Sequence, residues 1–176
     1  MYSIIKNCQI CGNSKLKKLL NLGSQPLCDN LTNKPYNSKF YKIEIIFCNK
    51  CLTAFQKYNI NKSKLFPKTY HYRSSNTADV INGMKNLTEE IKKIFKDLKN
   101  KKVLDVGCND GSLLDEFRKK GATTFGIEPT DAYLEAKKKG HKIYNNFIDK
   151  NLAKKLKKNK FDIITFTNVF AHINNF

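Results

Sequence analysis

Long apolar runs are missing from these 176 residues. None approaches 18 consecutive apolar positions, which excludes a helical membrane span. The N-terminus, MYSIIKNCQICG, lacks the apolar stretch of a secretory signal, so the sequence predicts a cytoplasmic protein with no membrane partner. Arginine is nearly absent too: of 33 cationic residues only Arg73 and Arg118 are arginine, against 15 acidic residues and a net charge of +18. Readers of nucleic acid lean on the arginine fork for phosphate and guanine, so this lysine excess argues against a nucleic-acid partner. The clusters at Lys137, Lys138 and Lys139 and at Lys154, Lys155, Lys157 and Lys158 read instead as solvated helix faces. Core-forming residues are plentiful, with 12 Phe and 8 Tyr, which excludes a wholly disordered chain.

Four of the six cysteines form two CxxC pairs, Cys8 with Cys11 and Cys48 with Cys51. A CxxC places two thiolates on one tight turn, and two such knuckles supply a closed tetrahedral site that suits zinc. Gly12 follows the first pair and favours its turn. Leu52 follows the second, which predicts a less regular knuckle there. The alternatives are a redox-active pair, which would follow a strand and open a helix, and unligated core cysteines. Cys28 and Cys108 have no CxxC partner and read as small buried residues. Between the knuckles the pattern is one of short strands, around residues 19–23 and over the alternating FYKIEIIF of residues 40–47. So small a region needs a metal staple.

From residue 77 to 99 apolar side chains recur at Val80, Met84, Leu87, Ile91, Ile94 and Leu98, the stripe of a connecting helix. The loop before it, YHYRSS at residues 70–75, is either the lining of a pocket or a domain seam. A buried strand at residues 103–106 then runs into a turn with Gly107 and Gly111, as in loops that approach a nucleotide at the carboxyl end of a parallel strand. Asp105 suits a cationic ligand better than a phosphate. The next strand ends in Glu128, 21 residues after Gly107, where an acid can accept bonds from ribose hydroxyls. Further strands are expected at residues 142–147 and 161–166, with helices at 131–139 and 152–158 between them. That order predicts a doubly wound parallel sheet.

The run VLDVGCNDG at residues 103–111 resembles motif I of class I S-adenosylmethionine-dependent methyltransferases. With the four-cysteine region in front, the YHYRSS loop and NVFAHI after the fourth strand, the chain resembles the sugar C-methyltransferases. These act on nucleotide-linked keto-deoxysugars. The resemblance implies an α/β protein: a zinc-binding β-rich domain (residues 1–70), a connecting segment and helix (71–100), and a Rossmann-like sheet (101–176). It implies S-adenosylmethionine and zinc as cofactors and a nucleotide-linked sugar as substrate. Asp105, Gly107, Cys108, Asn109, Gly111, Glu128 and Asn168 would bind the cofactor, and His172, Tyr70 and Tyr72 would serve catalysis. Asn109 stands where the motif often has glycine. Such enzymes have seven strands where four are visible here, so the sheet is expected to be incomplete, with residues 161–166 as an apolar edge and the cofactor weakly held. Methylation of another small acceptor, and a non-catalytic zinc ribbon on an anionic polymer, are the competing readings.

Overall fold

A computed structural model describes residues 2–28, 33–34 and 38–173. The chain divides into two compact units, one ending at Pro67 and one beginning at Lys68. The first contains β1 (Tyr2–Ile4), β2 (Leu16–Pro26), β3 (Phe40–Cys48), β4 (Thr53–Gln56), β5 (Tyr58–Ile60) and a single helical turn, α1 (Lys62–Leu65). Strands β2, β3 and β4 form an antiparallel sheet in that order, and β1 pairs with β5.

The strand expected at residues 40–47 forms as β3. Its predecessor is longer than expected: β2 runs for 11 residues. It does so by two slips in its pairing with β3, between Lys18 and Leu20 and between Asn21 and Ser24. The second slip holds Gly23, whose φ of 74° places it in the left-handed region and whose N–H donates to Asn21 Oδ1 at 2.9 Å. Cys28 is exposed and not buried as expected. It lies two residues past the last β2–β3 pair, Pro26 opposite Phe40. Among the described residues of this unit the buried apolar side chains are Tyr41, Ile46 and Tyr58, joined by Cys8 and Cys48.

The second unit carries four parallel strands, β6 (Lys102–Val106), β7 (Thr123–Ile127), β8 (Lys142–Tyr144) and β9 (Ile163–Thr165), in the order β8-β7-β6-β9. Helices α3 (Ser112–Lys119), α4 (Tyr133–Lys138) and α5 (Lys150–Leu156) make the crossovers. Alternation along β6 sends neighbouring side chains to opposite layers. Val103 meets Leu113 and Phe117 of α3 and Ile163 of β9. Leu104 and Val106 meet Phe125, Ile127 and the α5 residues Leu152 and Leu156. Because α5 turns its leucines inward, Lys154, Lys155, Lys157 and Lys158 face solvent, as the sequence predicts. Lys139 departs from that reading: it donates to the carbonyl of Asp110 at 2.8 Å.

Helix α2 (Ala78–Phe95) is shorter than its apolar stripe. Met84, Leu87 and Ile91 pack on the α3 layer, so the helix belongs to the second unit's own core. Ile94, expected to continue the stripe, is 77% exposed. Lys96 takes a φ of 63° and ends the helix, and the turn delivers Leu98 to the same core, fully buried. At the other side of the sheet β9 pairs only with β6 among the described residues, leaving Ile164 and Phe166 exposed at the expected edge.

Candidate functional site

In the first unit the sulfur atoms of Cys8, Cys11, Cys48 and Cys51 all lie within 4.8 Å of one another. Cys8 Sγ is 3.5 Å from Cys51 Sγ, and Cys11 Sγ is 3.5 Å from Cys48 Sγ. A tetrahedron with metal–sulfur bonds of about 2.3 Å has edges of about 3.8 Å, so the four thiols fit one zinc ion. No helix follows either pair: Cys48 ends β3 and β4 begins at Thr53, which removes the redox alternative. Asn13, which the sequence reading passed over, donates from Nδ2 to Cys48 Sγ at 3.4 Å and pulls that thiol down to about 6. Cys11 goes the other way, to about 11. The Asn13 backbone N–H opposes the rise, but desolvation and the three neighbouring thiols outweigh it. One metal ion would resolve this contest by taking four thiolates at once.

The two knuckles close alike. Gly12 N–H donates to the carbonyl of Cys8 at 2.9 Å, and Leu52 N–H to that of Cys48 at 2.8 Å. The second turn is therefore as regular as the first, contrary to the expectation from its missing glycine. Leu52 takes a φ of 57° to achieve this, with its side chain 75% exposed. A left-handed leucine costs about 1 kcal/mol, part of which glycine's greater chain entropy would cancel. Leu52→Gly is expected to stabilise the zinc-loaded first unit by about 0.5 kcal/mol, read as a higher urea midpoint; a lower midpoint would contradict this account of the turn.

In the second unit the site lies at the carboxyl ends of β6 and β7. Gly107 and Gly111 have φ of 77° and 80°, both left-handed. A Cβ on Gly107 would collide with the Val169 side chain, and one on Gly111 would come within 2.9 Å of Ala136 and His141. Glycine is required at both places by packing as well as by backbone angle. Asp105 is buried and accepts a bond from Thr165 Oγ1 at 2.7 Å. Desolvation drives its carboxyl up to about 7 against that bond, and the charge of Glu128 adds to the rise.

Glu128, at the end of β7, is held in place by its neighbours. Oε1 accepts from Thr130 N at 2.8 Å and Thr130 Oγ1 at 2.6 Å, and Oε2 accepts from Asn109 N at 2.9 Å. A carboxylate offers about four acceptor positions, so these three bonds leave one on Oε2. A second becomes available when the Thr130 hydroxyl rotates away. Asp110 is wholly enclosed: Oδ1 accepts from Ser112 N and Oγ, and Oδ2 from Ser75 N. Burial alone would raise its carboxyl, but the Ser112 and Ser75 bonds outweigh this and hold it below the usual range. Cys108 turns its side chain into the layer with Leu114, Ala136 and Ile143, and burial pushes its thiol up.

Two segments border this edge. The YHYRSS segment is hydrogen-bonded to the glycine loop within the second unit. Ser74 N–H donates to Asn109 Oδ1 at 2.9 Å, and Asn109 Nδ2 donates to the carbonyl of Tyr72 at 3.1 Å. Tyr70 is half-buried and Tyr72 exposed, with their rings 6.4 Å apart. After β9, Val169 covers Gly107, and the turn closed by His172 N–H on the Val169 carbonyl (2.9 Å) follows it. Asn168 and His172 are exposed on that turn, Asn168 with a φ of 57°. Thr130, Thr165 and the Arg73–Glu135 ion pair (2.6 Å) were not singled out by the sequence reading. Thr165 lies one strand away from its acid, Asp105, and leaves no local signature.

This fold and edge define a doubly wound nucleoside-cofactor unit in a chain that also carries a four-thiolate metal unit. Residues 78–176 match the family model described as a methyltransferase domain; this is more than half of the chain, which belongs to that family. Residues 8–66 match a model described as a zinc binding domain. Among curated proteins, the C-methyltransferase NovU of Streptomyces niveus is 24% identical over 128 residues, covering 71% of this chain and 30% of that protein. A ubiquinone biosynthesis O-methyltransferase of Histophilus somni is 39% identical over 87 residues, covering 43% of this chain and 36% of the relative. The chain spans about a third of the length of the curated relatives it matches. The plantazolicin methyltransferase BpumL, solved with SAH, covers 52% of this chain at 22% identity and a TM-score of 0.40, with 36% of BpumL aligned. S-adenosylmethionine is the cofactor of the second unit and zinc the metal of the first. No described helix is long and apolar enough to cross a membrane.

Proposed function

We propose that this chain supplies the zinc-binding and cofactor-binding parts of a C-methyltransferase that acts on a nucleotide-linked keto-deoxysugar. The observation that supports a sulfonium cofactor is the set of buried acids, Asp105, Asp110 and Glu128, gathered at one sheet edge of a chain with net charge +18. A cation is favoured at that edge; a phosphate would be repelled. The reach of the C-methyltransferase likeness supports carbon as the acceptor atom. Its 71% of the chain is more than the second unit can supply, so it extends into the cysteine unit, whereas the O-methyltransferase likeness, at 43%, needs no more than the second.

S-adenosylmethionine, when bound, supplies an electrophilic methyl group on a positively charged sulfur. Glu128 accepts a ribose hydroxyl at its open Oε2 position and is kept rigid for that by Thr130 and Asn109. Asp110 places negative potential behind the glycine loop, and Asp105 adds to it once it ionises. On the acceptor, removal of the proton alpha to the ketone would leave an enolate carbon able to accept such a methyl group. His172, Tyr70 and Tyr72 border this edge as the groups that orient the acceptor and hold or move its proton. The lysine-rich surface suits the acceptor's diphosphate.

Glu128→Ala is expected to weaken binding of S-adenosylhomocysteine at least tenfold in titration calorimetry, and undiminished heat would overturn the ribose assignment. Methyl transfer is then read by NMR of the product from a nucleotide-linked 4-keto-6-deoxysugar. A methyl group on ring carbon supports the proposal. A methyl group on oxygen supports the reading that the O-methyltransferase likeness favours.

A further inference from the structure

Residues 70–75 are fastened to the glycine loop by more contacts than a connecting strap needs. Asn109 grips them twice, accepting Ser74 N–H at Oδ1 (2.9 Å) and donating from Nδ2 to the Tyr72 carbonyl (3.1 Å). Asp110 takes the next amide, Ser75 N–H, at 2.9 Å. From the far side Arg73 pairs through Nε with Glu135 of α4 at 2.6 Å, while its guanidinium folds back on the carbonyls of Tyr70 and Tyr72 at 2.7 and 2.9 Å. Ser74, Asn109 and Asp110 are all buried.

The backbone of Asn109 serves the other side of the loop. Its N–H donates to Glu128 Oε2 at 2.9 Å, and its φ of 49° is a left-handed angle that Asn tolerates better than most residues. One residue therefore ties three things together: the acid at the end of β7, the glycine loop, and the aromatic segment before α2. A glycine at this position would keep the backbone angle and the bond to Glu128 and lose both bonds to the segment.

We propose that Asn109 is a positioning residue. Its side chain docks residues 72–75 on the glycine loop, so that the docked segment is a wall of the cofactor site and cofactor binding and docking reinforce each other. This rests on the second unit being an S-adenosylmethionine site. When the site-competent state is only fractionally populated, apparent affinity falls by that fraction. A segment docked a tenth of the time in Asn109→Gly gives about a tenfold weaker cofactor.

The test is site-resolved amide exchange on the full zinc-loaded chain, with S-adenosylhomocysteine as the probe. In the wild type the Ser74 and Ser75 amides are expected to be protected and to slow further when the probe is added. In Asn109→Gly they should exchange about tenfold faster, gain little from the probe, and accompany about tenfold weaker binding, with the α3 amides unchanged. Arg73→Gln, which loosens the segment without touching the loop, should move the same amides in the same direction. Unchanged Ser74 exchange in Asn109→Gly overturns the tether. Equal probe affinity in wild type and Asn109→Gly overturns the coupling while leaving the cofactor reading intact. A wild type that takes up no probe overturns the cofactor reading itself, and with it the coupling.

Discussion

Removing the metal is expected to unfold the first unit and leave the second folded. Tyr41, Ile46 and Tyr58 are its only buried apolar side chains, besides cysteine, among the described residues. Each fully buried side chain contributes about 1.5–3 kcal/mol, whereas a structural zinc in a small domain supplies about 10–16 kcal/mol. The metal is the larger share. Cys48→Ser is the sharpest probe, because Cys48 is fully buried and ends the strand that both neighbouring strands pair with. The variant should lose its zinc in metal analysis and lose amide dispersion for residues of β2–β4, as should the wild type under a strong chelator. Helices α2, α3 and α5, which belong to the second unit, should keep their signals. Intact β2–β4 resonances after chelation would show that the metal is dispensable to the fold.

The second large effect concerns Asp105. Its carboxyl sits at about 7 when folded, against about 3.9 in an unfolded chain. Below pH 4 both states hold the proton. Between pH 4 and 7 the folded chain keeps a proton that the unfolded chain releases, so stability from this group falls as pH rises and is gone above about 7. The slope is about 1.4 kcal/mol per pH unit. Asp105→Asn can still accept from Thr165 Oγ1 and does not titrate. From pH 5 to 8 its stability should therefore rise relative to wild type by about 3 kcal/mol, measured as the difference in urea unfolding free energy of the second unit. Parallel pH profiles for the two proteins would contradict the assignment. A cation bound at this edge offsets the cost of ionising Asp105, so the strain is released when the cofactor is in place.

The sequence revealed the elements whose signals are local. Alternation marked β3, the glycine loop marked the end of β6, and the CxxC spacing marked the four cysteines whose sulfur atoms come together. It misled where one local pattern runs across a tertiary boundary. Leu98 fits the stripe of α2 but reaches the core from a turn, since Lys96 breaks the helix and leaves Ile94 in water. The length of β2 depends on slips that only its partner β3 defines. In the site, the residue types that hold charge were legible, but their partners were not. Asn109 reads as a tolerated departure in a motif; its role exists only because Tyr72 and Ser74, 37 and 35 residues away, fold back on it. Leu52 is the converse case, where the backbone accepts an unfavourable residue because the metal turn requires the angle.

The buried acids and the lysine surface together give the chain a field of two signs. At a distance the net charge of +18 governs, and it repels any approaching cation. At contact Asp110 and Glu128 govern, joined by Asp105 once it ionises, because their low-dielectric surroundings screen them little. A cationic ligand thus approaches uphill and is retained once inside, whereas an anionic one is drawn in from afar. Rising ionic strength weakens both long-range effects, quickening the encounter with the first ligand and slowing it with the second. Order of arrival at the site is therefore a property of the solution as much as of the protein.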